Sequence, residues 1–342
     1  RGFCAPLSEE PWRVIYQVYV RSFYDGSHIP DGHGDFRGLI HKLSYLKDLG
    51  VDTILLMPIF ESTGGMGYIP KDYFILDPNY GHLQDFKDFI HAAKSNGFKI
   101  ILDAPVNHIS DDSYWFKRGS QKNCDPNDVA YNPNDPENIY CDFFYFSSYP
   151  WYEYPYSHWH KPWKYDTTDW SAVWYKRWDF NQSYHRNQYY YASFFQVMPD
   201  LKFYDFHTAN WNWPVVNTIK YFFNYWASLG VDGFRIDAAK HFVEGTANNA
   251  NEVEPKNIEL LNMFLSNVRN FNPDISFIAE IWSSHQTIES YIPHASDTAL
   301  DFPFMDAIRY AVYNSYGAIL RSILFYFESR QDKIKAGSRI LF

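Results

Sequence analysis

Four charged residues close three apolar runs of this chain. Asp103 ends the run in "FKIILDAPVNH", with Asn107 and His108 just beyond it. Arg235 and Asp237 end the run in "VDGFRIDAAKH", and Glu280 ends the one in "ISFIAEIW". Residues two apart in a strand face the same side, so Arg235 and Asp237 share a face. A structural ion pair is the plain reading of those two. Burying a carboxylate without partners costs several kcal/mol, and three at successive strand ends suggest a shared site. Cleavage of a glycosidic bond needs such a set: one carboxylate attacks the anomeric carbon and a protonated one serves the leaving oxygen. For retention the two stand roughly 5–5.5 Å apart, close to the spacing of adjacent strands. On this reading Arg235 keeps Asp237 ionised as a nucleophile. Glu280, between Ala279 and Ile281, is expected to have its pKa raised by apolar company, as a general acid requires.

The elements that would position these residues repeat along the chain. An amphipathic helix, a Gly stop and a short apolar strand recur. "DFRGLIHKLSYLKDLG" spaces Phe36, Leu39, Ile40, Leu43 and Leu46 as one helix and stops at Gly50, before "VDTILLMP". "LQDFKDFIHAAKSNG" stops at Gly97, before "FKIILDAPVNH". "YFFNYWASLG" leads to "VDGFRIDAAKH", and "NIELLNMFLSNVRN" leads to "ISFIAEIW". The junction "LGVD" occurs identically at 49–52 and 229–232. This alternation predicts parallel strands covered by helices, near 14–20, 52–57, 98–103, 232–237, 276–281, 298–302 and 338–342. A Gly-rich phosphate loop, expected of an open doubly wound sheet, does not follow the first of these. The prediction is a (β/α)8 TIM barrel, truncated after the seventh strand, with an irregular domain inserted after the third strand. Its parts are 1–108 and 201–342 for the barrel and 109–200 for the insert. The strand C-terminal ends, where the polar residues lie, form the face on which barrel enzymes do chemistry.

Composition narrows the partners. The chain has 342 residues, 46% hydrophobic, enough for a large core. A net charge of −10 argues against nucleic acid, whose binding rests on positive charge. No run of 18 apolar residues occurs, so no membrane span is expected. Rings make up 20% of residues. Those at 144–195, as in "YPWYEYPYSHWHKPWKY", would serve either as sugar platforms or as the core of an insert poor in aliphatics. Cys124 and Cys141 lie in one irregular region and can pair, which suggests an oxidising compartment. The chain begins with Arg1, which fits a cleaved export signal, so a secreted or periplasmic location is expected. Asn181 opens an "NQS" glycosylation acceptor of use only in a eukaryotic secretory context. Cys4 follows "RGF", a poor lipid box.

Five stretches in order resemble the α-amylase family of retaining α-glucan enzymes. "DAPVNH" (103–108), "GFRIDAAKH" (233–241) and "AEIW" (279–282) resemble its first three signatures. "MPDLK" (198–202) resembles the motif closing its inserted domain, and "GYIPKDYFILDPNYG" (67–81) the segment after its second strand. The resemblance implies that Asp237 is the nucleophile, Glu280 the acid/base and Arg235 the residue that orients and charges Asp237. It implies that Tyr68 stacks on the sugar, that His108 hydrogen-bonds it, and that Lys240 and His241 lie toward the leaving group. Asp103 would be supporting. It further implies calcium held by Asn107, Asp200 and the His241 carbonyl, an oxygen-only set suited to that ion, with a plain hydrogen-bond network as the alternative. The expected activity is hydrolysis of α-1,4-glucosidic bonds in starch, glycogen or maltooligosaccharides. Transglycosylation or α-1,6 cleavage on the same site is the alternative, and a non-catalytic barrel ectodomain is a third reading, against which the retained Arg235, Asp237, Glu280 and His108 count. Lys202 departs from the Asn or Asp usual after that Leu. The fourth signature, expected just after "SRILF", is absent. Its aspartate, the eighth barrel unit and a C-terminal β-domain are expected on a longer protein or on a second chain, and the fragment alone is expected to be inactive.

Overall fold

Each of the seven apolar runs becomes a parallel strand. A computed structural model describes residues 14–147, 174–176, 189–244, 250–314, 321 and 339–341. The strands are β1 (Ile15–Val18), β2 (Thr53–Leu56), β3 (Lys99–Ala104), β4 (Gly233–Ile236), β5 (Ser276–Ala279), β6 (Thr298–Leu300) and β7 (Arg339–Leu341). They pair in that sequential order, each neighbour parallel to the last. This is the strand order of a (β/α)8 barrel through its seventh strand.

The two faces of these strands have different work. Outward residues such as Leu56, Leu102, Phe234 and Phe277 join one large core with the helix residues Phe89, Phe222, Phe223 and Trp226. Inward residues Leu55, Ile101 and Ile278 form a separate small cluster, with Ile15 and Leu300 packed on it. The charged residues continue this inner face. Asp103 follows Ile101 by two positions, and Glu280 follows Ile278 by two, so strand alternation stacks them above the apolar layer. At the foot of β4, a Cβ on Gly233 would lie 2.4 Å from the Ser276 carbonyl oxygen of β5. The absence of a side chain there lets the two strands close on each other.

The glycine stops behave as predicted: Gly50, Gly97 and Gly230 have φ of 78°, 85° and 103°, the left-handed values a helix end favours. The helix expected over 35–50 is instead two, Phe36–His41 and Leu43–Asp48. Lys42 between them turns its N–H toward both Gly38 and Leu39 carbonyls, tightening the backbone out of α-helical register. No helix among the described residues is long and apolar enough to cross a membrane.

Beyond β3 the chain leaves the barrel and returns at one short antiparallel contact. His108 pairs with Asp200. Ile109 N–H donates to Pro199, and Leu201 N–H to Asn107. Inside the excursion, Ser113 caps a short helix, Tyr114–Gly119, and Cys124 and Cys141 form a disulfide with Cα atoms 5.1 Å apart. The buried Arg118 lies beside that disulfide. Its guanidinium donates to Asp135 at 2.6 Å, Glu137 at 3.0 Å, Asn123 at 2.9 Å and Cys124 Sγ at 3.3 Å. Lys202 joins Asp142 and Asp205 at 2.9 and 3.1 Å, tying the excursion to the segment that leaves it. The aromatic run at 149–165, Asn181 and Cys4 lie outside the described residues.

Candidate active site

One guanidinium gathers the carboxylates of three adjacent strands. Register places Arg235 beside Asp103 on β3 and Ile278 on β5. Arg235 Nη1 donates to Asp103 Oδ1 at 2.6 Å and to Asp237 Oδ1 at 2.7 Å, and Nη2 reaches Glu280 Oε1 at 2.7 Å. The Tyr68 hydroxyl donates to Asp103 Oδ2 at 2.6 Å, and the guanidinium lies 5.8 Å from the centre of the Tyr68 ring. Asp103 is fully enclosed, whereas the side chains of Asp237 and Glu280 retain 14% and 23% exposure. The two carboxylates that could meet a substrate are therefore the two that reach solvent.

Glu280 is not in apolar company. Ala279 and Ile281 point to the opposite face of the strand and are buried in the outer core, so flanking sequence misplaces its surroundings. Its Oε1 pairs with Arg235, and its Oε2 accepts the Ala238 N–H at 3.2 Å. Ala238 adopts φ 50°. This left-handed turn, uncommon for a residue with a Cβ, comes immediately after Asp237.

Burial raises Asp103 and Asp237 above the ordinary carboxylate range, Asp237 strongly. Arg235 pulls both down, as expected. For Asp237, however, burial and the neighbouring charges of Glu280 and Asp103 outweigh that pull. Asp103 and Asp237, crowded around one cation, therefore hold protons more tightly than isolated carboxyls do.

The remaining predicted residues lie around this centre. His108 is buried, with Nε2 2.9 Å from the Tyr68 carbonyl oxygen and Nδ1 enclosed without a hydrogen-bond partner. Burial pushes its pKa down to about 4, so the ring is neutral. His241 holds Glu244 at 2.7 Å through Nδ1. Lys240 is half-buried on the same turn. Phe194, which the sequence did not single out, sets its ring 5.5 Å from His108 and 5.3 Å from His241. Its place five residues before "PDL" was the available signal. Asn107 is buried with its amide toward Asp200, and its side-chain oxygen has no hydrogen-bond partner among the described residues. Asp200 accepts bonds from the Ser193 N–H and hydroxyl, and burial pushes its pKa up to about 8.

The family description "Alpha amylase, catalytic domain" fits residues 17–332. The chain belongs to the α-amylase family. It is 34% identical over 308 residues to "Alpha-amylase 3" of Dictyoglomus thermophilum, covering 89% of this chain and 51% of that protein. It is 31% identical over 281 residues to a "4-alpha-glucanotransferase" of Thermotoga neapolitana, covering 81% and 51%. Among solved structures, "Eubacterium rectale Amy13B" superposes with a TM-score of 0.74 at 26% identity, covering 97% of this chain and 57% of that one. The chain thus spans about half the length of these α-amylase-family relatives.

Proposed function

We propose that the full protein cleaves α-1,4-glucosidic bonds of starch, glycogen or maltooligosaccharides with retention of configuration. The observation that carries this reading is the single Arg235 guanidinium binding Asp103, Asp237 and Glu280 together. Asp237, which keeps a small opening to solvent, attacks the anomeric carbon. Glu280 protonates the departing oxygen, then takes a proton from the water that releases the sugar. Arg235 fixes both reacting side chains, and Asp103 with Tyr68 completes its shell. Tyr68 offers a ring to the sugar, and the buried, neutral His108 supports it at the Tyr68 carbonyl.

Transfer to a second sugar instead of water is a second reading, favoured by the likeness to a glucanotransferase over 81% of the chain. Both readings are tested by giving the full-length protein maltotriose, starch and isomaltose and following products by NMR. An α-anomer as first product is expected. Longer oligosaccharides would favour transfer, and a β-anomer or no turnover would overturn the proposal.

A calcium ion fits the residues at the base of the insert. Asn107 has a buried oxygen with no partner, and Asp200 is a buried carboxyl with no cation paired to it among the described residues. With the His241 carbonyl they would offer an all-oxygen set, the kind suited to this ion. Bound there, it would supply positive charge that ties insert to barrel. The Cys124–Cys141 disulfide supports a secreted or periplasmic location.

A further inference from the structure

The turn after Asp237 is held at two ends. At the front, Ala238 N–H donates to Glu280 Oε2 at 3.2 Å and Ala239 N–H to the Glu280 carbonyl at 3.1 Å. His241 N–H closes the turn on the Ala238 carbonyl at 2.8 Å. At the rear stands Asn257, fully buried on the helix Ala250–Phe271. Its Nδ2 donates to the carbonyls of Lys240 at 2.8 Å, Val243 at 3.1 Å and Val253 at 3.2 Å. Its Oδ1 accepts the Val243 N–H at 2.9 Å. A buried amide that uses both donor and acceptor groups on one loop makes the loop's backbone choose a single path.

We propose that Asn257 is a positioning residue for the leaving-group side of the site. This rests on the assignment of Glu280 as acid. The oxygen that Glu280 protonates belongs to the leaving group, so the turn bonded to Glu280 borders that side. Asn257 fixes the part of the turn bearing Lys240 and His241, whose imidazole Glu244 holds in place at 2.7 Å. Releasing the rear of the turn frees those side chains and, through Ala238, loosens the Oε2 end of Glu280, whose Oε1 stays paired with Arg235. The nucleophile stays fixed by Arg235, which touches neither Asn257 nor the turn's rear.

Two substrates separate these effects. Maltohexaose needs the acid and fills the leaving-group side. α-Maltotriosyl fluoride carries a leaving group that occupies none of that side and departs with little help from an acid. In the full-length protein, Asn257→Leu is expected to lower kcat/KM on maltohexaose about tenfold or more and on the fluoride less than about twofold. Equal losses on both substrates, or none on either, would overturn the positioning role and leave the function standing. Failure of the wild-type protein on both substrates would instead overturn the function. Asn257→Ser, read by the same ratio at matched Tm, covers the case in which the leucine variant does not fold.

Discussion

Two buried arginines organise this molecule, and they do opposite things. Arg118 in the insert and Arg235 in the barrel are both nearly sealed, and each binds more than one acid. The acids of Arg118, Asp135 and Glu137, come from one short stretch, and their side chains keep 26% and 46% exposure to water. The Cys124–Cys141 disulfide closes the loop that carries them. The acids of Arg235 come from the ends of three strands and outnumber it; Asp103 is enclosed with it, while Asp237 and Glu280 keep 14% and 23% exposure. An ion pair that relaxes into solvent stabilises a fold. One that crowds a surplus of carboxyls around a single buried cation raises the proton affinity of Asp103 and Asp237.

That contrast is open to direct attack. Asp237→Asn or Glu280→Gln in the full-length protein is expected to cut kcat at least about a thousandfold, with an unchanged circular dichroism spectrum. Near-normal turnover would erase the distinction between the two arginines. Arg235→Lys keeps the charge but loses the fork that holds two carboxylates at once, and about a hundredfold loss in kcat with a small Tm change is expected. In the insert the readout reverses. Replacing Cys124 and Cys141 by serine releases a constraint across 17 residues and should cost about 3 kcal/mol in denaturant unfolding. Arg118→Gln should cost about 2–3 kcal/mol, discounted for its half-exposed partners, with kcat per folded molecule unaltered. The smallest effect is His108 in acid. Its folded pKa of about 4 lies below the ordinary 6.5, so unfolding takes up a proton between these values. Its contribution is complete above pH 6.5, and about 2 kcal/mol is lost by pH 5. Calorimetry should show a steeper acid decline in wild type than in His108→Gln.

The strands were legible because burial on both faces writes an unbroken apolar run, and a polar residue ending such a run is conspicuous. Asp103, Arg235, Asp237 and Glu280 were found this way, and the structure brings them together. Their protonation was not legible. Ala279 and Ile281 are neighbours of Glu280 in sequence but face away from it, while Arg235 reaches it from the next strand. The effect on Asp237 also escaped, since it depends on how many carboxyls crowd one cation. Asn257 carried a signal that went unread: it is a polar residue at helical spacing from Leu260 and Leu261, on the apolar stripe. The break at Lys42 had none, since Leu39, Ile40, Leu43 and Leu46 keep one helical period across it.

Gly233 has a consequence that reaches the rim. Asp237 and Glu280 follow different strands, β4 and β5, and those strands touch where Gly233 meets Ser276. A methyl group at that contact acts as a wedge at the foot of two uprights. It would be felt at their tops as a change in the gap between Asp237 and Glu280. The gap between the two carboxyls is thus set partly by a residue with no chemistry of its own, at the far end of the strand from them.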